Sequence, residues 1–196
     1  MKLTHYISTY KKDIVAFISI AFIYSLLLTY FWGYMGDILI DCGREPFLSE
    51  EVLKGKLLYQ DHIIFFGPLA YYIQALFFKI FGVNLNIIYA AGAFNAFIVL
   101  LLSYLISRTI TTIIASLAIC FLIITIFIFN NSISNYIFPY TSCILYAVSS
   151  ILFAVYFGIS YLKTSNPLFI ILSCIFYGLS ILSKYEFIFF FIPLAL

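Results

Sequence analysis

The sequence predicts an all-α fold, a polytopic transmembrane helical bundle with a polar first outer loop that carries short interfacial helices. Three observations predict it. Of the 196 residues, 65% are hydrophobic and only 9% are charged, where a soluble domain has about a quarter charged; the mean hydropathy is +1.13. The apolar runs are continuous rather than alternating, so helices and not a β-barrel must satisfy the backbone inside a bilayer. Six of the eight acidic residues fall in the single stretch 33–67: Asp37, Asp41, Glu45, Glu50, Glu51 and Asp61. The net charge of +2 is spread thinly, and no basic stripe for nucleic acid is present.

Taken in order, residues 1–12 are polar and carry Lys2, Lys11 and Lys12. Residues 14–32 form an apolar run of membrane-spanning length. Its lysine-rich flank places the N-terminus in the cytoplasm. The run is too long for a signal peptide and lacks a small-residue cleavage site. Tyr30, Trp32 and Tyr34 then form an aromatic belt at the far interface, so the loop from Gly33 lies outside. Gly33 and Gly36 read as loop-forming glycines.

Inside the loop, Pro46 followed by SEEVLKGK predicts a short helix with Ser49 at its N-cap, Glu50 and Glu51 in its first turn and Gly55 at its end. Residues 68–82 run from Pro68 to Gly82 and contain Gln74 and Lys79. That is short for a span, so the segment is read as a helix lying along the outer interface, with a second span as the alternative. On the first reading, 86–107 cross inward, 110–129 outward, 141–162 inward and 168–182 outward. Arg108 and Lys163 then land in the cytoplasm, as the positive-inside rule prefers. The polar stretch 130–140 and Lys184 come to the outer face. Asn95, inside an apolar run, reads as an interhelical hydrogen-bond partner. The chain stops at Leu196 inside an apolar run, which reads as the N-terminal part of a longer protein or a truncated product, with 1–196 as one transmembrane domain.

Chemistry is sought in the loop. Carboxylates at a membrane surface act as general bases or hold a divalent cation, and both roles stay open for Asp41, Glu45 and Asp37. Basic groups nearby neutralise phosphate oxygens, and the arginine fork suits this best. For an arbitrary loop such charges are usually just solvated, but here they are concentrated in one place. His62 reads first as a polar anchor and second as a metal ligand. Cys120, Cys143 and Cys174 sit in apolar runs as packing residues, and Cys42 is the one cysteine in the loop. No pair of cysteines has ligand spacing.

The order of short motifs carries a resemblance. Asp41, Gly43, Arg44 and Glu45 are followed by Gly55, Lys56, Leu58, Tyr59 and Asp61, then by Gly67, Pro68, Leu69 and Tyr71, and by Phe81 and Gly82. Leu182 to Glu186 adds a lysine-bearing segment. The set resembles membrane glycosyltransferases of the GT-C type, in the branch of protein O-mannosyltransferases and of the aminoarabinose and galacturonic acid transferases that act on lipid A.

The resemblance implies an inverting enzyme. Its donor would be a polyprenyl-phosphate sugar and its acceptor a hydroxyl of a lipid, glycan or protein, on the outer face of a bacterial plasma membrane. It implies Asp41 as the catalytic base or a neighbour of a metal ion. Arg44, Lys56 and Lys184 are the candidate phosphate ligands, with Asp37, Glu45 and Asp61 in support. Where many relatives carry a second acid directly after the first, this chain has Cys42. Two other classes compete. A transporter of lipid-linked saccharide would bury charges in its spans, and almost none lie between residues 87 and 162. A non-catalytic subunit or remnant is the third reading.

Overall fold

The structure is a computed structural model that describes residues 2–36, 39, 42–130 and 135–190, with side chains from Lys11 onward. Among the described residues there are helices and no strand. Helix α1 runs over Lys2–Phe31, α2 over Arg44–Leu53, α3 over Leu69–Phe81 and α4 over Leu85–Ser107. Helix α5, Ile113–Leu122, continues as a π-helical turn over Ile123–Ile128; α6 covers Cys143–Thr164 and α7 covers Pro167–Ser183, followed by a 3₁₀ turn at Tyr185–Phe190.

Most helix ends have local chemical causes. Asn84, Thr112 and Asn166 cap α4, α5 and α7 with side chains that accept from backbone N–H groups of the first turn. Pro167 occupies the first turn of α7. Gly55 and Gly82, at φ +90° and +89°, stop α2 and α3. The N-cap expected at Ser49 is corrected. Helix α2 already begins at Arg44, so Ser49 is interior and its hydroxyl donates to the Glu45 carbonyl one turn back (2.9 Å). Pro46 in the first turn costs no hydrogen bond, because N–H groups there have no partner in the helix. Helix α1 also reaches further toward the N-terminus than its apolar run, since neither proline nor glycine interrupts residues 2–13.

Contacts at two ends order the helices. At one end Tyr104 and Arg108 of α4 bind Asp13 of α1, both at 2.7 Å. At the other end Tyr89 of α4 donates to the Met35 carbonyl just beyond α1. Helices α1 and α4 are therefore antiparallel, and α4 starts beside the polar loop. Between them the Tyr24 hydroxyl donates to the Ala93 carbonyl (2.6 Å), and Tyr24 packs on Phe97. Asn95 donates to Ser149 of α6 (3.2 Å), the interhelical bond expected for it.

Helix α3 stays with the loop at both ends. Its first turn reaches Glu45 through Tyr71, and Phe78 near its last turn lines a pocket with Gly43, Pro46 and Phe47. It does not carry the chain to the far end, which agrees with the interfacial reading of 68–82. Helix α5 returns to the loop end, where the stretch after it packs on the first loop. The Cys42 thiol meets the Phe138 carbonyl (3.6 Å), and Gly36 and Gly92 lie so close to Phe138 and Ile137 that a Cβ on either would overlap them. Helix α6 then leaves from Glu45, and α7 returns to it. Phe153, Phe157, Phe169 and Phe176 stack between these two helices, with Phe153 and Phe176 centroids 4.6 Å apart.

Helices α1 (as Lys11–Phe31), α4 and α6 are long and apolar enough to cross a membrane. Helices α5 and α7 are shorter and run between the same two ends. The first loop, the second loop, the start of α6 and the end of α7 thus meet at one end of the bundle.

Candidate functional site

Glu45 is the knot of this end. It sits in the first turn of α2 with 1% of its surface exposed. Its Oε2 accepts from the Thr141 hydroxyl (3.0 Å), the Ser142 N–H (3.0 Å) and the Ser142 hydroxyl (2.6 Å). Its Oε1 accepts from the Tyr71 hydroxyl (3.2 Å). A carboxylate has about four lone-pair sites, and these four bonds engage both oxygens, three of them on Oε2. Burial, and then the charge of Glu45, push the Tyr71 phenol up and keep it a donor. Ser142 stands at the N-cap position of α6 with no side-chain cap of its own, so the Glu45 carboxylate meets the positive end of that helix. Beside it the Ser49 hydroxyl lies 2.8 Å from Gln74 Oε1 and ties α2 to α3. Glu45 is thus a fastener among α2, α3 and α6.

Arg44, one residue earlier, faces differently. Its Nη2 lies 3.8 Å from Glu45 Oε1, too long for a hydrogen bond, and Nε and Nη2 are buried without a hydrogen-bond partner. Its guanidinium carbon stands 5.2 Å from the Tyr140 ring centroid and 5.9 Å from that of Phe66. Lys184 approaches the same Phe66 ring, with Nζ 6.0 Å from the centroid. Two cations about 140 residues apart in sequence thus share one aromatic ring.

The loop 57–67 is built to hold that ring. Asp61 Oδ2 accepts from the Leu57 N–H (2.7 Å), and Tyr59 takes a positive φ of 68° in the turn they close. The Tyr59 hydroxyl donates to the Phe66 carbonyl (2.6 Å) and lies 3.0 Å from the Tyr185 hydroxyl. Burial, and then the Tyr185 contact, push the Tyr59 phenol up, so it stays protonated at neutral pH. The Gly67 N–H donates to the Ser183 carbonyl (3.2 Å), and a Cβ on Gly67 would overlap the Leu182 carbonyl. Lys184 lies between the two tethered residues, Ser183 and Tyr185.

The other residues singled out from the sequence divide plainly. Asp37 and Asp41 lie outside the described residues; Gly43, next to Asp41 through Cys42, lines the pocket formed with Phe78, Val83 and Leu85. Asp61 holds its own turn. Lys56 is exposed beyond the end of α2, roughly 15 Å along from Arg44 at 1.5 Å per residue. Glu50 and Glu51 bind Lys54 at 2.8 and 3.0 Å, and Lys54 holds the Glu51 carboxyl below its usual range. His62 stands 3.7 Å from Glu51 and edge-on to Phe47, an anchor rather than part of a cluster. No group of three metal-binding side chains occurs among the described residues. Glu186 is a loose partner of Lys184 at 3.8 Å. Cys42 is fully buried. Phe66, Tyr140, Thr141 and Ser142 gave no sequence signal, because an aromatic or a hydroxyl in so apolar a chain has no distinguishing neighbours.

A family model described as dolichyl-phosphate-mannose-protein mannosyltransferase matches residues 66–196, more than half of the chain. The chain belongs to this family. The mannosyltransferase-family match includes Tyr71, Ser142 and Lys184, and it begins one residue before Gly67, where the first loop meets the end of α7. No curated protein and no solved structure matches the chain significantly. Membership supports a membrane glycosyltransferase of GT-C type, and the three long apolar helices agree with it.

Proposed function

We propose that the chain transfers a sugar from a polyprenyl-phosphate donor to an acceptor hydroxyl at the loop end of the bundle, with inversion at the anomeric carbon. The observation that carries this reading is the meeting of Arg44 and Lys184 at Phe66, with two guanidinium nitrogens left without partners. A buried N–H without a partner calls for a missing one, and a phosphate oxygen is the partner an arginine fork fits.

In this reaction the Asp41 carboxylate takes the proton of the acceptor hydroxyl as its oxygen attacks C1 of the sugar. The bond from C1 to the phosphate oxygen breaks, and its electron pair leaves on the polyprenyl phosphate. Arg44 and Lys184 neutralise that charge as it develops. Lys56, beyond the end of α2, is a further candidate phosphate ligand outside this pair. Asp37, four positions before Asp41 in sequence, is a supporting carboxylate, and carboxylates of this kind could hold a divalent cation. The apolar flanks of the bundle accommodate the prenyl tail in the membrane, and the loop end faces outward.

The test is sugar transfer by membranes carrying the protein, with polyprenyl-phosphate mannose as donor. Asp41→Asn is expected to lower transfer by at least a hundredfold at unchanged protein level. Arg44→Gln and Lys184→Gln are each expected to raise the donor KM. Full activity in Asp41→Asn would remove the base from this account.

A further inference from the structure

Arg44 and Lys184 both stand against the Phe66 ring without a close carboxylate partner, and something must keep them in place. Glu45 attracts Arg44 across 3.8 Å, too long for a hydrogen bond, while its oxygens accept from Thr141, Ser142 and Tyr71, so it does not fix the guanidinium's position. Glu186 is 63% exposed and 3.8 Å from Lys184, so water screens it. What both cations do touch is the Phe66 ring, and Arg44 also has Tyr140, whose ring stands edge-on to Phe66 at 6.4 Å. An aromatic face attracts a cation through its quadrupole and leaves the N–H donors free.

We infer that Phe66 is a positioning residue. Its ring holds Arg44 and Lys184 each within about 6 Å of one centroid, with two Arg44 nitrogens unpaired, so that a phosphate arrives at preformed donors. This rests on the reading of Arg44 and Lys184 as the phosphate site. The chain around Phe66 is fastened as such a part requires. Its carbonyl is held by Tyr59, Tyr59 by Tyr185, and the next residue by the Ser183 carbonyl, so ring and Lys184 keep a fixed relation. An aliphatic residue would fill the same space without the attraction. A carboxylate would attract the cations and occupy the donors that the phosphate needs. Preorganised donors lose little on binding, which is the gain in affinity.

The experiment is binding of farnesyl phosphate to the full-length protein in lipid nanodiscs, with Phe66 replaced by phenylalanines of increasing ring fluorination. Fluorine drains the π face and hardly changes the shape. Affinity is expected to fall stepwise, on the order of tenfold at full fluorination, while farnesol, which lacks the phosphate, binds equally throughout. Phe66→Tyr should bind as the native protein does, and Phe66→Leu should match the fully fluorinated ring. A flat fluorination series, with Arg44→Gln and Lys184→Gln still weakening farnesyl phosphate, would overturn the role of Phe66 and leave the phosphate site standing. If Arg44→Gln and Lys184→Gln themselves bind farnesyl phosphate normally, the phosphate site falls and the inference with it.

Discussion

At the scale of single residues, the dipeptide Arg44-Glu45 shows how adjacent charges take opposite roles. Glu45 turns inward and spends its oxygens on four donors; Arg44 turns toward two rings and keeps donors unspent. Removing the Glu45 carboxylate strands Thr141, Ser142 and Tyr71 in a buried site. Glu45→Ala should therefore destabilise the protein by about 3 kcal/mol or more, read as a lower melting temperature in detergent. Glu45→Gln keeps one acceptor oxygen and should cost less. The sequence singled out both residues, because charge is scarce in this chain. It could not show which one is committed, since the partners of Glu45 lie 26 to 97 positions away. Asn95 was legible because a lone amide in an apolar run needs a partner, and Ser149 is that partner. Ser49 was misread because a hydroxyl before two acids looks like a cap even when the helix has already begun.

At the scale of elements, the helices were legible from apolar run length and from glycine and proline at their ends, as Pro68 and Gly82 around α3 illustrate. Less legible was the joint between residues 66–67 and the end of α7, which depends on a close backbone approach. Gly67 permits that approach; the sequence marked Gly67 within a motif but not its partner Ser183, far along the chain. Gly67→Ala should push Ser183 away and carry Lys184 off Phe66. The expected outcome is a loss of transfer of about tenfold or more, with the donor KM rising, while α6 and α7 stay packed through their phenylalanines. Gly55→Ala, at a turn with open space around it, strains only a positive φ and should leave transfer nearly intact. Equal loss in both would contradict a specific role for the joint.

At the scale of the whole molecule, the contacts divide the bundle into a loop end that gathers most of the charged side chains of the loop and an opposite end fastened by Asp13 and Arg108. The proposed orientation in the membrane, with the loop end outside, is tested at two lysines. Lys163 is exposed in the last turn of α6 and Lys56 is exposed on the loop end. In intact cells a membrane-impermeant maleimide should label Lys56→Cys directly and Lys163→Cys only after permeabilisation. The reverse pattern would turn the bundle over and put the transfer on the cytoplasmic side. The native cysteines interfere little, since Cys42, Cys120 and Cys143 are buried and Cys174 lies in the apolar part of α7. The central claim is that Arg44 and Lys184, brought together by the fold, act on one phosphate. A double-mutant cycle on the donor KM tests it most directly, with Arg44→Gln and Lys184→Gln made singly and together. If they share a phosphate, the double variant loses clearly less than the product of the two single losses, because neighbours on one ligand are not additive. Losses that multiply, or a single variant with the native KM, would contradict it.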